Sequence, residues 1–308
     1  MPWPLYLLII PAALYLLFIV GPSLLSTHLV FHRKERKALL SRNLSGTYYD
    51  PYLDRLKASY ERLNAIDAQP LSVRAYDGVR LYGRYFGQGS PVTALLFHGY
   101  NAAPETNCGL YAEYFMDRGM NVLLVSMRAH GESGGLYSTF GVKEQEDVLL
   151  WCEEALKQPG TEKLVLYGAS MGAAAAAFAS DRLPEEVKAM ILDCGFTSPV
   201  EVFLPDLKRR HLPYPLMMPV MRLFMKLFLK IDMYGSARES LAAKKVPALF
   251  IAGGKDTTVP AALVREAFDI AAEPKRFLLV PGAPHALTLA ENEALVTETL
   301  DGFLNGYL

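Results

Sequence analysis

The stretch KLVLYGASMGAAAAAF, residues 163–178, places Ser170 between two glycines, where an apolar run meets an alanine run. The apolar run is typical of a buried β-strand, and the five alanines favour an α-helix. A serine on the tight turn between a strand and a helix has the setting of a nucleophile elbow, whose strained backbone needs small neighbours such as Gly168 and Gly172. The pattern G-x-S-x-G also arises by chance, so the surrounding chain has to decide.

The overall composition is that of a globular protein. The chain has 308 residues, of which 51% are hydrophobic and 20% are charged, and this is enough to bury a substantial core. Its formal net charge of −1, without a Lys/Arg stripe, predicts no nucleic-acid partner. The three cysteines are far apart and lack metal-ligand spacing, so neither a disulfide framework nor a zinc site is expected: Cys108, Cys152 and Cys194.

The beginning of the sequence predicts a membrane helix. From Met1 to His32 there is no Asp, Glu, Lys or Arg, and the stretch LYLLIIPAALYLLFIV followed by GPSLL supplies roughly 20 apolar residues, enough to span a bilayer. Pro11 predicts a kink or a slightly irregular span. The alternative is a cleaved signal, but nothing before Trp3 is basic and the apolar run is too long for one.

A basic cluster follows the apolar run and predicts its orientation. It consists of Arg33, Lys34, Arg36, Lys37 and Arg42. Because positive flanks stay in the cytoplasm, we expect an N-out anchor with the catalytic body inside the cell. The predicted organisation is a transmembrane anchor over 1–32, a basic flank and lead-in helix over 33–69, and a catalytic domain over 70–308.

The remainder alternates short apolar runs with helical stretches. LSVRAYDGVRLYGRYF predicts a hairpin that turns at Asp77-Gly78. The later strand candidates are TALLFHG, NVLLVSM, KLVLYG, KAMILD, PALFIAGG and RFLLVPG, and the helical candidates lie near 109–117, 141–157, 171–182, 261–271 and 291–304. Apolar strands separated by helices predict an α/β fold, with a mostly parallel sheet covered on both faces.

Reactive side chains follow several of the predicted strands. In a parallel sheet, ligands bind beyond the carboxyl ends of the strands, where this chain places His98, Ser170, Asp193, Asp256 and His285. A serine needs a base and an acid that orients the base. We predict His285 as the base and Asp256 as the acid, with Asp193 as the alternative acid and otherwise a structural residue.

The same pattern predicts an oxyanion hole. One donor is expected to be the backbone N–H of Met171, at the N-terminus of the helix that the alanine run brings close to the sheet. The other is expected to be the N–H of Tyr100, in the loop HGYNAAPETN. His98 and His130 are expected to shape their loops.

Four motifs together resemble the α/β-hydrolase fold superfamily over about residues 70–305. They are HGY at 98–100, GASMG at 168–172, GGKD at 253–256 and PHA at 284–286. Three further stretches, MRAHGESGGLYSTFG, EQED and DCGFTSP, are similar to bacterial serine-aminopeptidase-like (S33/S9-like) hydrolases, many of which carry an N-terminal membrane segment. This chain departs from them at Met127, where relatives often have Asp. The resemblance implies a serine hydrolase and does not select a peptidase over an esterase.

An insertion over about 197–245 predicts a helical lid. Its segment PLMMPVMRLFMKLFLKIDMYG is rich in Met and Phe, which make an adaptable lining for acyl chains. Arg222, Lys226 and Lys230 recur every four residues, so they share one helical face. Such a basic amphipathic helix can lie on an anionic membrane surface. The alternative is that the helix simply packs on the core.

These observations together predict a membrane-anchored serine hydrolase with Ser170, Asp256 and His285. It would cleave a carboxylic ester with an apolar, lipid-like acyl group through an acyl-enzyme, without a metal or an organic cofactor. An amidase, peptidase or thioesterase with the same triad is the alternative enzyme. The alternative from another class is a catalytically silent, membrane-bound interaction protein.

Overall fold

Eight strands form one sheet in the computed structural model, which describes residues 6–33 and 47–308. The strands are β1 (Gln69–Arg74), β2 (Arg80–Phe86), β3 (Val92–Phe97), β4 (Asn121–Ser126), β5 (Lys163–Ala169), β6 (Val187–Asp193), β7 (Ala248–Gly253) and β8 (Lys275–Val280). Their order is β1-β2-β4-β3-β5-β6-β7-β8. Strand β2 is antiparallel to both neighbours, and the pairs from β4 to β8 are parallel. The predicted mostly parallel sheet is confirmed.

The predicted hairpin joins β1 to β2 and turns where expected. Gly78 N–H donates to the Ala75 carbonyl at 2.9 Å, and Ala75 N–H donates to the Val79 carbonyl at 2.8 Å. Gly78 has φ +81°, a left-handed conformation that glycine adopts at no steric cost.

Helices cover both faces of the sheet. The helices that follow the N-terminal segment are α3 (Leu53–Ala65), α4 (Pro104–Asn107), α5 (Gly109–Met116), α6 (Glu144–Leu156), α7 (Met171–Ala179), α8 (Pro199–Arg209), α9 (Tyr214–Phe224), α10 (Arg238–Ala243), α11 (Ala261–Ile270), α12 (Thr288–Glu291) and α13 (Glu293–Leu304). A 3₁₀ turn, Asp50–Tyr52, precedes α3. Helices α6, α7 and α11 pack in one core layer, and α3, α5 and α13 pack in the other.

The strands contribute side chains to both core layers in alternation. Along β5, Leu164 and Leu166 lie in the layer under α7, whereas Val165 and Tyr167 lie in the layer under α5. All four are fully buried. A strand buried on both sides reads as a continuous apolar run, which is why KLVLYG lacks the alternation of a surface strand.

The N-terminal helix is long and mostly exposed. It consists of α1 (Tyr6–Tyr15), a π-helical turn (Leu16–Val20) and α2 (Gly21–Phe31). Within it, Ile9–Phe31 is long and apolar enough to cross a membrane. Helix α1 continues through Pro11. The irregular turn lies further along, where Gly21 N–H donates to the Leu16 carbonyl and Pro22 has no N–H to donate.

The second half of this helix is attached to the α/β domain. Every fourth side chain from Ile19 onward is buried: Ile19, Ser23, Thr27 and Phe31. Phe31 meets Phe140 and Phe203 edge-on, with ring centroids 5.1 and 5.8 Å apart. Helix α2 also packs on α9 of the insertion. Of the predicted basic cluster, only Arg33 lies within the described residues; Lys34, Arg36, Lys37 and Arg42 lie outside them.

A buried ion-pair cluster connects three elements at the end of β4. The Arg128 guanidinium donates to both carboxylate oxygens of Asp147 in α6, at 2.7 and 2.6 Å, and to Asp77 of the hairpin turn at 2.8 Å. The adjacent Met127, where the sequence departs from its relatives, is a buried core residue. Its thioether therefore packs in the core while Arg128 makes the polar contacts.

The insertion between β6 and β7 forms α8, α9, a π-helical turn (Met225–Leu229) and α10. At the start of its first helix, the Glu201 carboxylate accepts from the backbone N–H groups of Thr197 and Ser198, at 2.9 and 3.2 Å. Met217, Met221 and Met225 face inward and are buried. The methionines therefore belong to the core layer that also contains Phe31.

Candidate active site

Ser170 lies on a strained turn between β5 and α7. Its φ and ψ are +52° and −110°, a conformation that side-chain-bearing residues rarely adopt. Its N–H donates to the Asp193 carbonyl at 2.8 Å. Ser170 occupies the N-cap position of α7, yet its hydroxyl makes no capping hydrogen bond. A serine that only began a helix would use its hydroxyl as a cap, so the hydroxyl of Ser170 is directed elsewhere.

The two predicted elbow glycines allow the helix to approach the sheet. A Cβ on Gly172 would lie 2.0 Å from the Phe97 carbonyl oxygen, and one on Gly168 would lie 2.5 Å from Ala173 N. Both distances are far below van der Waals contact. Glycine is therefore required at both positions for α7 to lie against the ends of β3 and β5.

His285 connects Ser170 to Asp256. His285 Nε2 lies 2.9 Å from Ser170 Oγ, and His285 Nδ1 lies 2.6 Å from Asp256 Oδ2. An ionised carboxylate only accepts hydrogen bonds, so Nδ1 carries the proton and the Nε2 lone pair faces the hydroxyl. The Asp256 side chain is fully buried, and that of His285 is 14% exposed. The arrangement can move the hydroxyl proton to Nε2 and stabilise the resulting imidazolium.

The Asp256 carboxylate is fixed by its own loop. Its Oδ1 accepts hydrogen bonds from the backbone N–H groups of Thr258 and Val259, both at 2.8 Å. These bonds leave Oδ2 for His285. The loop after β7 therefore orients the carboxylate as well as supplying it, a contribution of Thr258 and Val259 that the sequence analysis did not identify.

Asp193, the alternative acid, lies in a different environment. Its Oδ2 accepts from Thr288 Oγ1 at 2.8 Å and from the Tyr167 hydroxyl at 3.1 Å. Burial raises the pKa of the Asp193 carboxyl. The backbone carbonyl of Asp193 holds the Ser170 N–H, as described above. His285 Nδ1 thus donates to Asp256 and not to Asp193, whose backbone carbonyl supports the elbow.

The loop after β3 lies against Ser170, as predicted for the oxyanion hole. A Cβ on Gly99 would be 3.3 Å from Ser170 Cβ, and Gly99 N–H donates to Asn107 Oδ1 at 2.6 Å. Gly99, Tyr100 and Ser170 line a cavity of about 70 Å³. Met171 is the first residue of α7, so its N–H has no acceptor within the helix. The donor roles of Tyr100 and Met171 stay predictions.

Two histidines hold this loop. His98 Nε2 accepts from Met127 N–H at 3.1 Å, and His130 Nε2 accepts from Asn101 N–H at 3.1 Å. His130 Nδ1 lies 2.8 Å from the Arg128 carbonyl, which only accepts, so Nδ1 carries the proton. Their rings are 4.9 Å apart. Both act as structural residues between the loops after β3 and β4.

The end of the N-terminal helix braces the same loop. The Tyr100 hydroxyl donates to the Val30 carbonyl, and the Tyr100 ring stacks on Phe140 at 4.7 Å. The Phe31 carbonyl accepts from Ser138 N–H at 2.9 Å, and Ser138 Oγ donates to Met171 Sδ at 3.0 Å. Helix α2 therefore contacts the Tyr100 side chain directly and the Met171 side chain through Ser138. These are the two residues whose backbone N–H groups are predicted to form the oxyanion hole.

Two tyrosines from the stretch predicted as a basic flank and lead-in helix line the site. Tyr49 borders the 70 Å³ cavity beside Ser170, and Tyr48 borders a cavity of about 320 Å³ on the other side of His285. Their rings stack with centroids 4.3 Å apart. Burial raises the pKa of Tyr48, with further contributions from Tyr49 and Asp256. No residue of the insertion lines either cavity in the described parts of the chain, so the lid stays a prediction.

One buried thiol lies near the candidate triad. Ligand atoms of Cys194, Asp256 and His285 lie within 4.8 Å of one another. Desolvation by burial is the main cause that raises the pKa of the Cys194 thiol well above its usual range. A metal ligand has to be a thiolate, and Asp256 and His285 already bond each other, so these residues are a poor match for a metal ion. Cys108 and Cys152 are also buried.

Comparison with known proteins gives consistent similarities. The family model for the alpha/beta hydrolase fold matches residues 94–219. Protein Rv2307c of Mycobacterium tuberculosis is 32% identical over 216 residues, covering 69% of this chain and 70% of that protein. The membrane protein YNL320W of Saccharomyces cerevisiae is 27% identical over 160 residues, 51% of each chain. Esterase PF2001 of Pyrococcus furiosus has a similar fold, with a TM-score of 0.66, 23% identity, and coverage of 80% of this chain and 93% of that one.

The close approach at the elbow predicts a large loss of stability for Gly172→Ala. The added methyl group meets the Phe97 carbonyl, so the free energy of unfolding should fall by at least about 3 kcal/mol. Gly302→Ala in α13 is the matched control, because its nearest neighbour would be an Arg276 nitrogen at 3.5 Å. That variant should gain roughly 0.5–1 kcal/mol. Urea unfolding of the full chain in detergent, followed by tryptophan fluorescence, measures both stabilities. Equal stabilities of the two variants would contradict the packing described here.

Proposed function

Because the chain belongs to the α/β-hydrolase family, we propose that it is a serine hydrolase that cleaves carboxylic esters with apolar acyl groups. The observation that carries this proposal is the continuous hydrogen-bonded relay from Ser170 through His285 to Asp256, with the serine on a strained turn. Strain at a side-chain-bearing residue costs about 1–3 kcal/mol and persists mainly at functional sites.

In the proposed reaction, Ser170 Oγ attacks the carbonyl carbon of the ester while His285 Nε2 takes the hydroxyl proton. The negative charge on the carbonyl oxygen is held by the N–H groups of Met171 and Tyr100. The tetrahedral intermediate expels the alcohol, which receives the proton from His285, and leaves Ser170 acylated. Water then attacks the acyl carbon with His285 as base, releasing the carboxylic acid and restoring Ser170.

The preference for an apolar acyl group is supported by the position of the site beside the N-terminal helix. The carbonyl of Val30, at the end of that helix, accepts from Tyr100, which also lines the cavity at Ser170. An ester dissolved in the membrane would thus reach the reactive serine over a short distance. The same triad can act on amides, peptides and thioesters, and these are the alternatives.

We propose that Ile9–Phe31 is an N-out membrane anchor. The catalytic body then lies in the cytoplasm, against the cytoplasmic leaflet of the membrane. Arg33 at the end of the helix fits this orientation, since cations flank the cytoplasmic side. The guanidinium of Arg33 is bound by the Gly131 and Ser133 carbonyls, at 2.7 and 2.6 Å. The non-enzymatic alternative is a silent membrane-bound interaction protein that uses the same anchor.

Removal of the proposed nucleophile should abolish turnover. We expect Ser170→Ala to lower kcat for a p-nitrophenyl ester by about 10⁴–10⁶-fold, because no other group can form the acyl-enzyme. Ser180→Ala is the control: this serine ends α7 and is buried, and its hydroxyl has no partner among the described residues. Its activity should match that of the wild type. Turnover that survives in Ser170→Ala, or is absent from the folded wild type, would contradict the proposal.

The two candidate acids should differ sharply in their effect on turnover. In Asp256→Asn, the backbone N–H groups of Thr258 and Val259 hold the amide oxygen, so an NH2 donor replaces the oxygen that accepts from His285. The His285 tautomer is then no longer fixed, and kcat should fall by about 10⁴-fold. Asp193→Asn keeps the shape of a carboxyl that bonds Tyr167 and Thr288, so it should change stability more than kcat. Steady-state kinetics on both variants, with unfolding curves, separates the effects. A larger loss of kcat in Asp193→Asn would reverse the assignment.

The proposed acyl preference should appear as a dependence on chain length. Each methylene removed from water contributes about 0.8 kcal/mol, so kcat/KM should rise up to about fourfold per methylene among p-nitrophenyl esters. Esters presented in phospholipid vesicles should be cleaved faster than the same esters free in solution. Efficient cleavage of acetate esters with no gain from chain length or vesicles would exclude a lipid-like substrate.

A further inference from the structure

We propose that the segment Tyr214–Leu229 lies in the interface of an anionic phospholipid bilayer, beside the N-terminal helix. The chain would then contact the membrane through two elements rather than one. We call the exposed side of this segment the α9 outer face; it consists of Leu216, Arg222, Leu223, Lys226, Leu227 and Phe228. This inference rests on the proposed membrane insertion of Ile9–Phe31 and not on the hydrolase chemistry.

The part of the N-terminal helix that does not pack on the protein body is too short to cross a bilayer by itself. A helix needs about 30 Å to cross the hydrocarbon core of a bilayer. The stretch Ile9–Phe18 precedes the first buried side chain, Ile19, and rises only about 15 Å at about 1.5 Å per residue. The other half of the candidate span packs on α9. If Ile9–Phe31 crosses the bilayer as it stands, α9 has to enter the same leaflet.

The contact between the two helices is closely packed and has no free polar groups. Ser23 and Thr27, which are small and fully buried, face the body. Their hydroxyls donate to the carbonyls of Ile19 and Ser23, at 2.5 and 2.8 Å, so they need no water. Small residues that let helices approach closely are typical of contacts inside membranes. Helix α2 can therefore stay attached to α9 in a lipid environment.

The α9 outer face has the apolar composition that such a position requires. Leu223 is 58% exposed, Leu227 53% and Phe228 70%. In a helix that faces water, these outward positions would be polar, because the inward positions already carry the buried Met217, Met221 and Met225. A cluster of large exposed apolar side chains marks an interaction surface.

The cations on the same helix identify the partner as an anionic bilayer. Lys226 is exposed beside the apolar side chains, and Lys230 follows the last turn. The exposed Arg222 guanidinium donates to both carboxylate oxygens of Asp232, at 3.1 and 2.6 Å, so the net positive charge comes from Lys226 and Lys230. Long basic side chains of an interfacial helix extend to the headgroups while the apolar residues lie deeper. Arg222, Leu223 and Lys226 also line a cavity of about 610 Å³ with Tyr214 and Met218. This groove offers apolar space and positive charge together, as a phospholipid requires.

Spin labels on single cysteines test the proposal in the full-length chain, in nanodiscs that contain phosphatidylglycerol. The three native cysteines are buried, so an introduced exposed cysteine is labelled selectively. Labels at Leu227→Cys and Phe228→Cys report on the α9 outer face, and Leu17→Cys reports on the anchor. Glu162→Cys is the control in water, because this exposed residue precedes β5 at the end of the sheet opposite Ser170.

Collisions with oxygen and with a water-soluble nickel complex give the depth of each label. We expect labels 227, 228 and 17 to collide more often with oxygen, which concentrates in lipid. Label 162 should collide more often with the nickel complex, which stays in water. If labels 227 and 228 are as accessible to nickel as label 162, while label 17 is in lipid, the proposal is overturned. The membrane anchor and the hydrolase function would remain. If label 17 is also in water, membrane insertion itself is wrong. Labels shielded from both reagents, with spin–spin broadening, would show a second copy of the chain on this face and overturn the proposal.

A charge variant tests the choice of lipid. Lys226→Glu together with Lys230→Glu, in the Leu227→Cys background, should move the label toward water in phosphatidylglycerol nanodiscs and much less in phosphatidylcholine nanodiscs. The reason is that an anionic surface attracts lysine side chains and repels the glutamates that replace them. An equal position of the label in all four samples would overturn the part of the proposal that specifies anionic lipid.

Discussion

The close approach of α7 to the sheet is the constraint on which the site depends. At Gly172 there is no space for a methyl group, because the Phe97 carbonyl oxygen would lie 2.0 Å from it. Phe97 ends β3, and Gly168 is its register partner in β5. Helix α7 therefore starts directly above the ends of two adjacent parallel strands. Its first residues face the loop after β3, and Ser170 has to take a positive φ to join strand and helix. His285 reaches Ser170 from the loop after β8, and Asp256 reaches His285 from the loop after β7.

The fold, and the meeting of Ser170, Asp256 and His285 at one edge of the sheet, could be predicted because they follow from local patterns and one topological rule. Apolar runs identified the buried strands, and the carboxyl ends of parallel strands meet at one edge, so Ser170, Asp256 and His285 were expected together. The choice between Asp193 and Asp256 depends on side-chain directions. Both follow strands, and only the structure shows Asp193 bonded to Tyr167 and Thr288.

Other features could not be read from the sequence because they depend on contacts between distant segments. Tyr48 and Tyr49 precede the first strand in a polar stretch without periodicity, so nothing in the sequence indicates that they line the cavities at Ser170 and His285. The N-terminal helix was read as an isolated anchor from its uniform hydrophobicity. The buried side chains at every fourth position from Ile19 to Phe31 form no apolar pattern, because two of them, Ser23 and Thr27, are small polar residues. The helix is in fact joined to the loop after β3 through Val30 and Tyr100.

The proposed hydrolase function depends most on Ser170 being an activated nucleophile. Treatment of the full-length chain with a fluorophosphonate, followed by proteolysis and mass spectrometry, locates the residue that reacts. We expect one adduct per chain, on the peptide that contains Ser170. We also expect loss of labelling in His285→Ala, because the Ser170 hydroxyl then lacks its base. No adduct on the folded protein, or an adduct on Ser170 that forms equally fast in His285→Ala, would contradict the proposed function.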